Sequence, residues 1–209
     1  MKLKSILLLL LLTSWFGGYA QDANGLLDKA ANKIQQASGI EAKFTLSVIG
    51  QGMNGSTEGM IQLNKNKFRI ETREMISWFD GTTQWNYVKE NDEVNVTTPT
   101  LEELNSINPY ALLSLHKNGY SAHMGKQQQH QKTDIYEIVL SANNGQDLQK
   151  VVIYLKKSTL EPIYLQVVQA DGLFNEIKIE HYISNVKLKS DLVKFNAQDY
   201  PSAEIIDLR

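Results

Sequence analysis

Three of the four histidines, His116, His123 and His130, recur at a spacing of seven, a pattern that invites metal ligation by imidazole. The spacing argues against it. An odd interval along a strand puts successive residues on opposite faces, and Gly119 and Gly125 interrupt any helix across them. Isolated surface histidines are expected, with no metal. Asp80 could act as a carboxylate acid or base, yet beside Gly81 it reads as a turn residue. Trp78, Trp85 and Tyr87 could stack on a sugar or a base. They interleave with strand positions and lack clustered hydrogen-bonding partners, which places them in a cavity wall or core. The sequence has three arginines, Arg69, Arg73 and Arg209, and no guanidinium cluster for phosphate. Gly-x-Ser-x-Gly, His-Glu-x-x-His, Walker and calcium-loop patterns are all absent from it, so neither an enzyme nor a cofactor is expected.

The elements that would position these residues begin after an N-terminal leader. Lys2 and Lys4 precede an apolar run from Ile6 to Leu12, and Gly17-Gly18-Tyr19-Ala20, small but for the tyrosine, leads into Gln21-Asp22. This is the form of a cleavable secretory signal peptide over residues 1–20. The run is too short to span a bilayer, which takes about 20 residues, and no cysteine follows it to carry a lipid anchor. A soluble, exported product is expected, with residues 21–209 as one domain. Losing Lys2 and Lys4 with the leader takes the net charge from -2 to -4, which argues against nucleic acid as a partner. With no cysteine in the chain, stability must come from a core and not from disulfides.

Leu26, Leu27, Ala30 and Ile34 recur at helical spacing before Gly39, and predict an amphipathic helix over 23–37. The period then becomes two. Ala42, Phe44, Leu46 and Val48 alternate with polar residues as in a half-buried strand. Further strands are expected at 57–64, 67–73, 75–79, 83–88, 93–97, 133–141, 148–156, 162–169 and 173–182. Asn54-Gly55, Asp80-Gly81, Asn144-Gly145 and Asp171-Gly172 supply hairpin chemistry between them, so consecutive strands should be antiparallel neighbours.

A helical pair over 100–117 is expected to interrupt the strands. Thr100 to Glu103 has the form of a capping box, and Asn108-Pro109 can start a second helix carrying Tyr110, Leu112, Leu113 and Leu115 up to Asn118-Gly119. It is either a packed connector or a movable cover. Residues 151–155 are apolar in succession, and 163–168 nearly so, so both faces of those strands leave water. A strongly curved sheet with a hollow apolar interior fits this pattern, and so does an ordinary sandwich with a filled core.

Gly59-Met60-Ile61-Gln62-Leu63, the turn Asn64-Lys65-Asn66-Lys67-Phe68-Arg69-Ile70-Glu71 and the hairpin Trp78-Phe79-Asp80-Gly81-Thr82-Thr83-Gln84-Trp85-Asn86-Tyr87 resemble the centre of the LolA-type periplasmic carriers of outer-membrane lipoproteins. Asn108-Pro109-Tyr110-Ala111-Leu112-Leu113 is similar to the Pro-aromatic-x-Leu-Leu helix of that family. The order of leader, helix, strands, helices and strands fits over nearly the whole mature chain. The resemblance implies a mainly β fold with α: an unclosed, strongly curved antiparallel half-barrel with an N-terminal helix and a short helical lid. Its concave wall would hold acyl chains, with Phe44, Leu46, Phe68, Ile70, Trp85, Tyr87, Val151, Ile153, Ile163 and Leu165 as candidate lining residues, their strand parity left open. Tyr110, Leu112 and Leu113 would form the lid.

The resemblance also implies a periplasmic monomer whose partners are acylated lipoproteins and an inner-membrane lipoprotein-releasing transporter; it leaves an outer-membrane acceptor open. An arginine that contacts the lid in the best-studied branch is replaced here by Asn64, followed by Lys65. That role does not carry over, and Lys65 and Arg69 are expected on a solvated strand face. Two alternatives stand beside the carrier. One is a LolA-like lipid-binding or envelope-sensing protein, although the sensors of this fold carry a second domain for which this length leaves no room. The other is a secreted β-rich interaction module with a filled core.

Overall fold

The computed structural model describes residues 22–209 except 51, 101–102, 105–107, 109, 144–147 and 190, and the side chain of residue 53. The expected leader, the Asn144-Gly145 turn and parts of the expected 100–117 helical pair therefore lie outside the described residues. Helix α1, Ala23–Gln36, starts where the Asp22 carboxylate accepts from the Asn24 amide, and it buries Ala23, Leu26, Leu27, Ala30 and Ile34 along one stripe. No described helix is long and apolar enough to cross a membrane.

Thirteen strands follow among the described residues: β1 Ile40–Gly50, β2 Met53–Asn64, β3 Lys67–Thr72, β4 Met75–Phe79, β5 Gln84–Val88, β6 Glu93–Thr97, β7 Tyr120–Met124, β8 Gln129–His130, β9 Thr133–Ala142, β10 Leu148–Lys156, β11 Pro162–Gln169, β12 Phe174–Ser184 and β13 Glu204–Asp207. They form one sheet in the order β13-β6-β5-β4-β3-β2-β1-β12-β11-β10-β9-β7, with β8 paired to β9 alone. The end strands of that path, β13 and β7, do not pair with each other, so the sheet is a curved half-barrel and not a closed one. All pairings are antiparallel except β13 with β6. The central strand β1 joins two runs of consecutive strands, pairing with β2 on one side and with β12 on the other.

Two turns show why the hairpins sit where they do. Asp80 Oδ1 accepts from the amides of Thr82 and Thr83 at 3.1 and 2.9 Å, and Gly81 takes φ 104°, as a tight β4–β5 connection requires. The expected Asn54-Gly55 turn is displaced. Both residues lie within β2, opposite Ile49 and Val48, and the positive dihedrals fall on Gly50 (φ 123°) and Gly52 (φ 79°). β1 thus runs to Gly50, two residues beyond its apolar alternation.

The sheet buries apolar side chains on both faces. The inner face packs Ala42, Phe44, Ile61, Phe68, Ile70, Ile138, Leu140, Val151, Ile153 and Leu165 against α1 and against Tyr110, Leu112, Leu113 and Leu115. Those last residues come from a 3-10 segment at Ala111–Lys117 and the residue before it. The outer face carries Trp78, Trp85 and Tyr87, which neighbour one another across β4 and β5. There the C-terminal segment crosses back over the sheet. Phe195 and Tyr200 meet the Trp78 ring edge-on at 5.5 and 5.6 Å, and Tyr200 lies 4.7 Å from Tyr87. The segment then adds β13 to the edge at β6. Arg69 belongs to this outer face as well. It pairs with Glu71 at 2.7 Å and lies over Trp78, so it is tied into a network and not simply solvated.

Truncating Phe195 to alanine should cost about 1–3 kcal/mol in denaturant unfolding and shift tryptophan emission to the red as Trp78 meets water. Because the strap lies on the face opposite α1, binding at the inner face should be unchanged.

Candidate functional site

Where α1 and the 3-10 segment end, the inner face is left partly uncovered. Along β1 the inward residues pass from fully covered Ala42 to half-buried Leu46 and Val48. A cavity of about 340 Å³ opens there, lined by Phe44, Leu46, Val48, Ile70, Met75, Leu112, Leu148, Val167 and Ile177, and by the polar residues Thr72, Ser77, Gln84, Asn86, Gln169 and Asn175. Among the described residues, no charged side chain lines it. Leu112 forms part of the wall while remaining 2 % exposed, within one apolar cluster with Tyr110, Leu113 and Leu115.

The Phe44 ring owes its position to Gly59 on the neighbouring strand. A Cβ at Gly59 would run into the Phe44 ring and would stand 2.9 Å from the Glu71 carbonyl oxygen. The glycine that opens β2's apolar run is therefore a seat for a cavity aromatic. The 3-10 segment is held to α1 by charge. Asp28 Oδ1 lies 2.7 Å from Lys117 Nζ and 3.2 Å from Nε2 of His116, contacts at ion-pair distance without full hydrogen-bond alignment. His116 Nδ1 lies 3.1 Å from the Leu113 carbonyl oxygen. The Lys117 ammonium, more than any other group, holds the Asp28 carboxyl below its ordinary value, with His116 adding to the effect and partial desolvation opposing it. Burial pushes the Tyr110 phenol far up, and its hydroxyl has no hydrogen-bond partner among the described residues.

Three of the candidate lining residues, Phe44, Leu46 and Ile70, line the cavity. Phe68, Val151, Ile153 and Leu165 share its face but sit deeper, fully buried in the core. Trp85 and Tyr87 do not reach it: they lie on the outer face, with Tyr87 against Tyr200. Ile163 lies in a separate surface depression beside His130, Lys178 and Glu180. Among the histidines, His123 is exposed and His130 meets Tyr154 edge-on and Tyr164 at a tilt, whereas the His116 side chain is only 6 % exposed, contrary to a surface placement. Lys65 is exposed in a left-handed turn, φ 58°. No group of three metal-ligating side chains occurs among the described residues.

The polar cavity residues lie outside the expected lining because apolarity alone does not mark the inner face. In β5 the order is inverted: Gln84 and Asn86 face the cavity and Trp85 and Tyr87 face away. The readable signal was Phe195 and Tyr200, aromatic residues late in the chain that needed a partner surface.

A family model described as outer membrane lipoprotein carrier protein LolA matches residues 13–170. No curated protein matches the chain. Among solved structures, an uncharacterized conserved protein from Thermus thermophilus is similar at a TM-score of 0.62 and 10% identity, covering 88% of this chain and 98% of that one. A putative outer membrane lipoprotein-sorting protein domain from Vibrio parahaemolyticus gives 0.48 at 8% identity, over 81% and 95% of the two chains. A LolA superfamily protein from Nitrosomonas europaea gives 0.46 at 10%, over 84% and 99%. At such identities the likeness to the Thermus protein is one of fold.

Two measurements test this geometry. Gly59→Ala should drive the Phe44 ring into the cavity, so that a solvatochromic apolar probe binds several-fold more weakly while the fold persists. The Asp28 contact stabilises the packing of the 3-10 segment above the unfolded carboxyl value of 3.8 and is lost as pH falls through the lower folded value. Amide exchange of residues 111–117 should therefore accelerate at that acid end in the parent and show no such step in Asp28→Asn.

Proposed function

The chain belongs to the family of the outer membrane lipoprotein carrier protein LolA, and from that premise we propose that it is a periplasmic carrier that shields the acyl chains of lipoproteins between the inner and outer membranes. In this reading residues 1–20 are an export leader and residues 21–209 one carrier domain, acting by binding and not by catalysis. The observation that carries it is the cavity beside Phe44, Leu46 and Ile177, an uncharged and mostly apolar space at the unclosed end of the core. Each methylene kept from water is worth about 0.8 kcal/mol, so a long acyl chain needs an escort across an aqueous compartment.

The cavity is at the small end of ligand sites, which run from about 300 to 1,000 Å³. Tyr110, Leu112 and Leu113 act as a plug that acyl chains displace. Chain and plug compete for the same apolar wall, so the empty carrier stays closed and the loaded one is held with an affinity set by the difference between the two. That difference is what allows a carrier to give up its cargo. The cargo reaches it from an inner-membrane lipoprotein-releasing transporter and leaves to an outer-membrane acceptor or directly to that membrane.

Extracted, delipidated protein should rebind an acylated peptide, seen as a defined mass increment in native mass spectrometry, and Ile177→Asp should abolish the increment with the protein still folded. A parent that binds no acyl group at all removes the carrier reading. Replacing Leu112 and Leu113 with alanine should destabilise the closed empty form by about 2–5 kcal/mol per leucine and deprotect the amides of 111–117. Equal protection of those amides with and without ligand, in parent and variant alike, would make the segment a fixed connector.

A further inference from the structure

Within the apolar cavity wall lies a polar band that core packing does not explain. Ser77 and Gln84 are 1 % and 2 % exposed, and burying such groups is unfavourable unless their hydrogen bonds are met. Gln84 Nε2 meets its own need, donating to Ser77 Oγ at 3.0 Å and to Asn86 Oδ1 at 2.9 Å. This arrangement holds the Asn86 amide at the cavity surface with its nitrogen still able to donate, and leaves the Ser77 hydroxyl with its own proton. From β12, Asn175 also lines the cavity, and its Oδ1 is buried without a hydrogen-bond partner among the described residues. Turning that amide over exchanges an unmet acceptor for an unmet donor and does not remove the need.

We propose that this band is a hydrogen-bonding subsite for the uncharged linkage at the root of an acyl chain, an amide or a hydroxy-ester, and that the cavity therefore selects neutral acyl amides and acylglycerols over free fatty acids. The inference rests on the carrier reading above and specifies its ligand. A linkage carrying both a carbonyl oxygen and an N–H or O–H finds a partner on either side of the cavity: its carbonyl can accept from Asn86 or Ser77, or its N–H or O–H can donate to Asn175 Oδ1. A carboxylate has no such match. It would bring a charge into a cavity whose described lining includes no lysine, arginine or histidine, and an unpaired charge is strongly disfavoured there. Gln84 is a positioning residue that aims the Asn86 amide.

The test uses delipidated mature protein and ligands of one chain length: N-methylhexadecanamide, monohexadecanoylglycerol, hexadecanoate and a hexadecanoyl-capped peptide, each displacing a fluorescent apolar probe. The neutral ligands should bind at least about tenfold more tightly than the carboxylate, a gap of about 1.4 kcal/mol. Asn86→Leu and Asn175→Leu, half-buried sites where leucine can be accommodated, should narrow that gap to threefold or less while hexadecanoate binding holds or improves. Thermal melts establish that both variants fold. Capped peptide binding above the glyceride assigns the subsite to an acylated protein terminus; the reverse order assigns it to a free glyceride, and both support the proposal. Equal binding of all four ligands, or a gap that survives both leucine variants, overturns the subsite alone. Failure of every ligand to bind overturns the carrier reading with it.

Discussion

The structure depends on a single constraint: one unclosed sheet has apolar side chains on both faces, and each face needs its own cover. On the inner side α1 and the 3-10 segment supply Leu26, Leu27, Leu113 and Leu115. On the outer side Phe195 and Tyr200 arrive from the far end of the chain to cover Trp78 and Tyr87. The outer cover fits its patch closely, ring against ring. The inner cover is shorter than the wall it protects, and the cavity is the part of the wall that remains. Hollow space arises here from a mismatch between two lengths and not from a specialised lining motif.

That mismatch also explains why the 3-10 segment is held in two different ways. Leu112, Leu113 and Leu115 are buried in the apolar core, while Asp28, His116 and Lys117 tie the same segment to α1 at its edge. The leucines contribute strength without direction, since apolar contact is proportional to area and can be taken over by any apolar ligand. The charged contacts contribute direction: they fix one position of the segment against α1. A cover held by area alone would have no unique closed position.

Much of the fold was legible in the sequence. The β4 and β6 ranges match those expected from strand pattern and turn residues, β10 and β11 those expected from their apolar runs, and α1 follows from its apolar stripe, because those signals are local. What stayed hidden is tertiary. β13 is four residues pairing in parallel with β6, and no local pattern marks a strand whose partner lies so far away. β7 does alternate, Tyr120, Ala122 and Met124 against Ser121 and His123, yet it is absent from the expected strands. The cavity itself was half legible. Phe44, Leu46 and Ile70 follow from parity in β1 and β3, but in β5 the apolar residues serve the outer cover and the polar ones serve the cavity. A reading that equates apolar with inward must fail where the outer face is covered as well, as it is over β4 and β5. The family resemblance implied the hollow, and the residue pattern alone could not choose between it and a filled core.

The central strand carries a consequence for the order in which the chain can fold. β1 pairs locally with β2, but its other edge waits for β12, where Ile40 meets Ser184. Pairings so distant in sequence close slowly, because the entropy of the long loop must be met before the contacts repay it. A chain made N-terminus first holds α1, β1 and β2 for most of its synthesis with no means of completing the sheet on that side. The two halves are each a meander of near neighbours, able to form alone, yet the core between them appears only when β12 docks. The topology itself therefore leaves the core between the two halves unmade until β12, late in the polypeptide, is present.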